Sequence, residues 1–275
     1  MKPAPATYPE LVNAITAEFV ALTPQLQKLG RFALDDMNVI ALETVTTVAA
    51  RASVNPSTIV RFAKAFGFDG FSDMQRVFRA GFMENTSSYK ERIQTLYSED
   101  NRQGVAGILD NFTHSGIQSL EQLKLNMPSD KLEQAVELIK NSKNVYLLAQ
   151  SRAYAVANYM YYALSRLDVG CHLADGAGGM LDHQMAQVGA DDVVIAISFA
   201  PYTPIIAELV TSMASKGLKI ISITDSPVSP LAANSAVSFE IQEASEQAFR
   251  SLVAPLCLAQ SLVVGVGQSI EKSRI

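Results

Sequence analysis

The chain changes rhythm once, near its middle. Up to about residue 140 the apolar positions recur at i, i+3, i+4 spacing, the period of helices that bury one face. Leu11, Ile15, Phe19 and Leu22 form one such stripe over 8–22, and Thr23-Pro24 opens a second helix running to about Leu34. A short helix is expected over Met37 to Leu42. Val45, Val48 and Ala49 then give the next segment one apolar face, until Ser53-Val54-Asn55 breaks the period. Pro56 suits the first turn of a new helix, where no backbone N–H is needed, and Asn55 before it is placed to cap that helix through its side chain. Ile59, Phe62, Ala63 and Phe66 point inward from this helix, and Gly67 supplies the residue that ends it. Phe71 to Met83 adds a last helix with Met74, Val77 and Phe78 inward. Residues 1–7 carry no period and are expected to be disordered.

Residues 85–103 are polar and weakly periodic. Helical spacing resumes over Val105 to Leu125 and over Asp130 to Lys140, the latter with Ser129 or Asp130 as its cap. After Asn144 come continuous apolar runs, Val145 to Ala149, Val193 to Ile197 and Lys219 to Ile223. Such runs are the mark of strands buried on both faces of a parallel sheet. Shorter runs at Cys171 to Ala174 and Val237 to Ile241 complete the set. Helices are expected between them over Arg152 to Arg166, around Gly179 to Gln187 and over Thr203 to Ser215, with a final apolar helix from about Ala248 to Val266. Strands alternating with helices and short loops specify an open parallel α/β sheet. The domain reading is therefore 1–84 helical, 85–128 a helical linker and 129–275 α/β.

Charge sharpens the first part. The whole chain carries a net charge of −5, yet between Arg51 and Arg79 five cations stand against only Asp69 and Asp73. Short polar side chains at a helix start, followed by Arg and Lys a turn later, suit a helix lying in the major groove of DNA. Thr46, Asn55, Ser57, Thr58, Arg61 and Lys64 are the candidate contacts. The bland alternative is a helical hairpin with a solvated face. Arg76 and Arg79 either touch phosphates or belong to such a face.

The residue order carries more. Ala49-Ala50, Val54-Asn55-Pro56-Ser57-Thr58, Val60-Arg61-Phe62, Gly67-Phe68 and Gly70-Phe71 resemble the N-terminal helix-turn-helix of the RpiR family of bacterial transcription regulators. From about Asp130 onward the chain resembles the sugar-isomerase-type (SIS) domain which that family joins to it. The matched positions are Ser151, Asp175, Ser198, Thr203, Thr224 and Ser229-Pro230-Leu231. The resemblance implies an all-helical helix-turn-helix domain joined to an SIS-type open parallel α/β sandwich. It also implies a double-stranded DNA operator and a small anionic metabolite, usually a phosphosugar, as effector; one recognition helix covers only a few base pairs, so a homodimer or homotetramer is expected.

Ligands of such sheets lie beyond the carboxyl ends of the strands, near helix N-termini. Ser151, Arg152, Ser198, Tyr202, Thr203 and Glu246 are the candidate ligand residues. Ser151 and Ser198 read equally well as helix caps, and Arg152 as an anion partner or a structural one. The chain departs from the family loop in having Ala200 and Pro201 where a serine and a glycine are usual, and Gln150 and Arg152 where small residues are usual. The rival reading is a sugar-phosphate isomerase with a helical appendage, for which Glu243 and Glu246 qualify as a base on residue type alone. Cys171 and Cys257 show neither disulfide nor zinc spacing, and His114, His172 and His183 are scattered, so no metal or cofactor is expected. No signal-type leader is expected, nor an apolar run of membrane-spanning length, which gives a cytoplasmic reading.

Overall fold

A computed structural model describes residues 3–86, 93, 104–200, 202–241 and 249–274. The chain forms two compact units, the first made of Met1–Gly104 with Ser245–Phe249 and the second of Val105–Ala244 with Arg250–Ile275.

The first unit is helical: α1 (Tyr8–Glu18), α2 (Pro24–Asp35), α3 (Met37–Leu42), α4 (Val45–Arg51), α5 (Pro56–Ala65) and α6 (Phe71–Thr86). Its start is more ordered than the sequence suggests. Thr7 closes a capping box, its hydroxyl accepting the Glu10 N–H while the Glu10 carboxylate accepts the N–H groups of Thr7 and Ala6. Thr44 caps α4 by accepting the Thr47 N–H at 3.3 Å. The tight turn between α4 and α5 puts Ser53 in the left-handed region at φ 50°, where the Val54 N–H reaches back to the Ala49 carbonyl at 2.9 Å. Gly67 ends α5 the same way at φ 86°, a conformation glycine adopts without steric cost.

One polar side chain organises this core. Gln75 on α6 is buried, and its amide donates to the carbonyls of Ile40 at 3.0 Å and Glu43 at 2.8 Å, groups that the end of α3 leaves without helical partners. Arg79 donates to the neighbouring Ala41 carbonyl at 2.7 Å. Gln75→Ala is expected to destabilise the unit by about 1–3 kcal/mol, the cost of stranding buried acceptors. A melting temperature unchanged within error would remove Gln75 from this role.

The second unit contains α7 (Val105–Asn126), α8 (Ser129–Lys140), β1 (Val145–Ala149), α9 (Tyr154–Ser165), β2 (Cys171–Ala174), α10 (Leu181–Met185), β3 (Val193–Ile197), α11 (Pro204–Ser215), β4 (Lys219–Thr224), β5 (Val237–Glu240) and α12 (Val253–Arg274). All strand pairs are parallel, in the order β2-β1-β3-β4-β5. β1 and β3 are buried along their full length, which is why their sequences are unbroken apolar runs. Val145, Leu147, Val193, Ile195 and Ile221 pack under α8, α9 and α12, while Leu148, Val194, Ala196 and Ile220 pack under α10 and α11. The result is a three-layer sandwich.

Several expectations are corrected. Asn55 takes the cap position of α5, but its side chain makes no capping bond; its carbonyl accepts the Thr58 N–H instead. Pro128, not Ser129 or Asp130, occupies the cap of α8. α10 is a short helix of five residues preceded by a turn at Ala177–Gly179, and α12 runs to Arg274. α12 is also long and apolar enough, by length and composition, to cross a membrane, contrary to the expected interruption. Ala254, Leu258, Ala259, Leu262 and Val266 are buried in the sandwich core, as in a core helix. The pattern places α7 in the connecting segment 85–128; in the structure it packs on α12 within the second unit, with Gly116 beside Val253.

Candidate functional site

In the first unit, burial splits α5 lengthwise. Ile59, Phe62 and Ala63 are fully buried, held by the 3.6-residue period against α2, α4 and α6. Ser57, Val60, Arg61 and Lys64 recur at i, i+3, i+4, i+7 and all face solvent. Asn55 is exposed before them, Thr58 half-buried at their margin, and Thr46 exposed on α4. The six predicted DNA contacts thus lie at the surface of the helix pair, and Ser57, Arg61 and Lys64 share one stripe. Val60, 38% exposed, was absent from the expected set because an apolar residue in a helix is normally assigned inward. On this stripe it offers a methyl surface of the kind that contacts a thymine methyl. The outer cations of α6 are engaged within the unit: Arg76 pairs with Asp73, and Arg79 binds the Ala41 carbonyl.

In the second unit, the strand order reverses between β1 and β3, and a crevice at the carboxyl ends is expected there. The turn after β1 holds Ser151, exposed and at φ 55°, and Arg152. The loop after β3 holds Ser198, Tyr202 and Thr203. Because β1 and β3 are neighbours, these five predicted residues come to one edge of the sheet. Arg152 bridges the two turns: its guanidinium lies 4.8 Å over the Phe199 ring and donates to the Ser251 carbonyl at 3.2 Å. Ser198 is buried and accepts the Thr203 N–H at 3.4 Å. Glu243, Glu246 and Pro201 lie outside the described residues.

Two carboxylates complete this edge. Asp175, at the end of β2, accepts the Ala177 N–H at 2.9 Å and the Gln184 amide at 3.0 Å, and these bonds hold its carboxyl below the usual range. Asp225, at the end of β4, accepts the Ala200 N–H and the Tyr202 hydroxyl, each at 2.8 Å. The Thr224 hydroxyl also donates to it at 3.5 Å, but the two close partners lie 25 and 23 residues earlier, so spacing carried no sign of the contact. Among the described residues, no cluster of three or more His, Cys, Asp or Glu side chains is placed to hold a metal. Burial pushes the Cys171 thiol up to about 12, which makes it a packing residue and not a nucleophile.

A helix-turn-helix unit followed by a parallel sandwich with a loop-lined strand edge is the arrangement of a helix-turn-helix domain joined to an SIS-type domain. Residues 10–81 match the helix-turn-helix domain of the rpiR family and residues 138–265 match the SIS domain, and the chain belongs to the RpiR family. It is 25% identical over 251 residues to the bifunctional protein glk of Burkholderia mallei, covering 90% of this chain but only 38% of that protein. It is 24% identical over 209 residues to an uncharacterized HTH-type transcriptional regulator of Clostridium perfringens, covering 76% of this chain and 73% of that one. Among solved structures, the Vibrio vulnificus NanR protein complexed with ManNAc-6P superposes with a TM-score of 0.59 at 17% identity, over 96% of this chain and 94% of that one. The sugar isomerase domain of an RpiR transcription factor from Sphaerobacter thermophilus gives a TM-score of 0.53 at 21% identity, over 61% and 98%. At these identities the structural likeness shows the fold.

Proposed function

We propose that this chain is a DNA-binding regulator of a carbohydrate-catabolism operon. Its DNA affinity is set by a sugar phosphate or related anionic metabolite at the carboxyl edge of the sheet. The observation that carries the reading is the solvent-facing stripe Ser57-Val60-Arg61-Lys64 over the buried Ile59, Phe62 and Ala63. Ser57 and Asn55 supply short donors and acceptors for base edges, and Arg61 and Lys64 reach bases or phosphates. The ManNAc-6P complex of NanR supports a phosphosugar-type effector, as does a similar structure from E. coli CFT073 in complex with A5P (TM-score 0.53, 19% identity).

One recognition helix covers few base pairs, so useful affinity requires at least a dimer. Val105, Ile108 and Leu109 on α7 and Val264 on α12 are exposed apolar residues suited to subunit contact. Effector binding would favour one placement of the paired DNA heads, and that difference in affinity couples the sites. The protein acts in the cytoplasm and is not an enzyme in this reading. Among the described strand-end carboxylates, Asp175 accepts within its own loop, Asp225 accepts from the β3 loop and Glu240 pairs with Lys131, poor positions for a catalytic base.

Selection of genomic fragments by the purified protein tests the proposal. The expected product is a roughly palindromic site with half-sites about 34 Å apart, or a multiple of that. Recovery of random fragments would sink the regulator reading, and turnover of any sugar phosphate would favour the isomerase.

A further inference from the structure

The loop after β3 is where an anion would seek backbone donors, and in this chain those of Ala200 and Thr203 are already taken. The Ala200 N–H and the Tyr202 hydroxyl both point at the Asp225 carboxylate, at 2.8 Å each. The Thr203 N–H goes to Ser198, and the Arg250 guanidinium donates to the Ala200 carbonyl, fixing the same residue from its other side. Ala200 and Tyr202 are 8% and 6% exposed, so the loop is closed around its own carboxylate. Asp225 follows β4 without an intervening residue, and the β3–β4 pairing delivers it to this position.

A phosphoryl group at neutral pH brings between one and two negative charges, and the oxygens that carry the charge can only accept hydrogen bonds. It would compete with Asp225 for the same two donors and meet a like charge beside them. A sugar hydroxyl meets neither obstacle: Asp225 Oδ1 already accepts from Tyr202 and, at 3.5 Å, from the Thr224 hydroxyl, but Oδ2, bonded to the Ala200 N–H, keeps a second lone pair that can accept from it. We infer that Asp225 is a specificity-determining residue of this pocket: it fills the anion cradle of the β3 loop with an internal carboxylate, so the loop takes the hydroxyls of a carbohydrate and turns a phosphoryl group away. This rests on the reading of the strand edge as the ligand site. It narrows the effector to a carbohydrate whose hydroxyls face the loop and whose charged group lies elsewhere.

The test uses the full chain and inorganic phosphate as the probe, followed by calorimetry and by the amide resonance of Ala200. Wild type should show no saturable phosphate binding at that amide at millimolar concentration. Asp225→Asn, which keeps the shape and removes the charge, should bind phosphate at least about tenfold more tightly. Tyr202→Phe, which removes one donor and leaves the carboxylate in place, should stay within about threefold of wild type. Phosphate binding by wild type as tight as by Asp225→Asn overturns the proposal, and so does an equal gain in Tyr202→Phe. Should Asp225→Asn fail to fold, judged by circular dichroism, the wild-type titration still decides: millimolar or tighter binding at the Ala200 amide refutes the assignment. A flat phosphate response in every protein alongside selected DNA sites would sink this inference alone. Failure of fragment selection with the Asp225→Asn gain intact would sink only the regulator.

Discussion

Arg61→Ala is expected to abolish operator binding and leave the melting temperature unchanged. Arg61 is exposed on the stripe shared by Ser57 and Lys64, and among the described residues it makes no hydrogen bond or ion pair that folding would miss. Loss of an arginine that reads a base costs about 1–3 kcal/mol of binding, and a two-headed assembly loses it at both half-sites. Binding measured across salt concentrations separates the two ways Arg61 can act. A base contact removes discrimination between operator and random duplex. A phosphate contact weakens both alike and lowers the salt slope by about one. Operator binding at wild-type strength would strike Arg61 from the interface.

One residue further along, the expected result inverts. Phe62→Ala should destabilise the first unit by about 3–5 kcal/mol, the usual cost of emptying a buried aromatic site. The ring is fully buried, lies edge-on to Phe66 with centroids 4.9 Å apart, and faces Gly30 of α2, where an added Cβ would sit 3.4 Å from it. A small domain has only about 5–15 kcal/mol in total, so this loss is expected to lower its melting temperature by well over ten degrees. DNA binding would fall as well, but through unfolding, and would recover on cooling. Measuring both variants by thermal circular dichroism and DNA binding therefore distinguishes a reading residue from a supporting one. A Phe62→Ala protein as stable as wild type would contradict the burial described for α5.

The α5 stripe was legible beforehand because a helix has one period and the residue types on its two sides differ. β1 and β3 were legible for the opposite reason: strands covered on both faces show no alternation, and five consecutive apolar residues leave little else to read. Gln75 was not legible. A glutamine in an amphipathic helix looks like a surface residue, and the carbonyls it serves lie 32 and 35 positions earlier. Asp225 was hidden similarly, since its two closest partners are supplied by a loop 23 and 25 residues upstream. Ala200 and Pro201 flagged the loop as unusual, but not that a neighbouring strand end supplies the anion for it. The cap of α5 shows the limit of residue-type rules. Asn55 stands where a cap belongs, and its amide remains at the surface, among the side chains proposed to face DNA.

The parallel sheet also bears on how the protein is made. The helices of the first unit are complete within 86 residues and are made before the second unit, whereas β1 at Val145 must wait for Cys171 on one side and Val193 on the other, and β4 for Val237. Distant pairings are slow to form. A nascent chain is thus expected to present the finished helices of the first unit while the second is still being synthesised, and in the proposed regulator the DNA head would for this interval be beyond the reach of any metabolite.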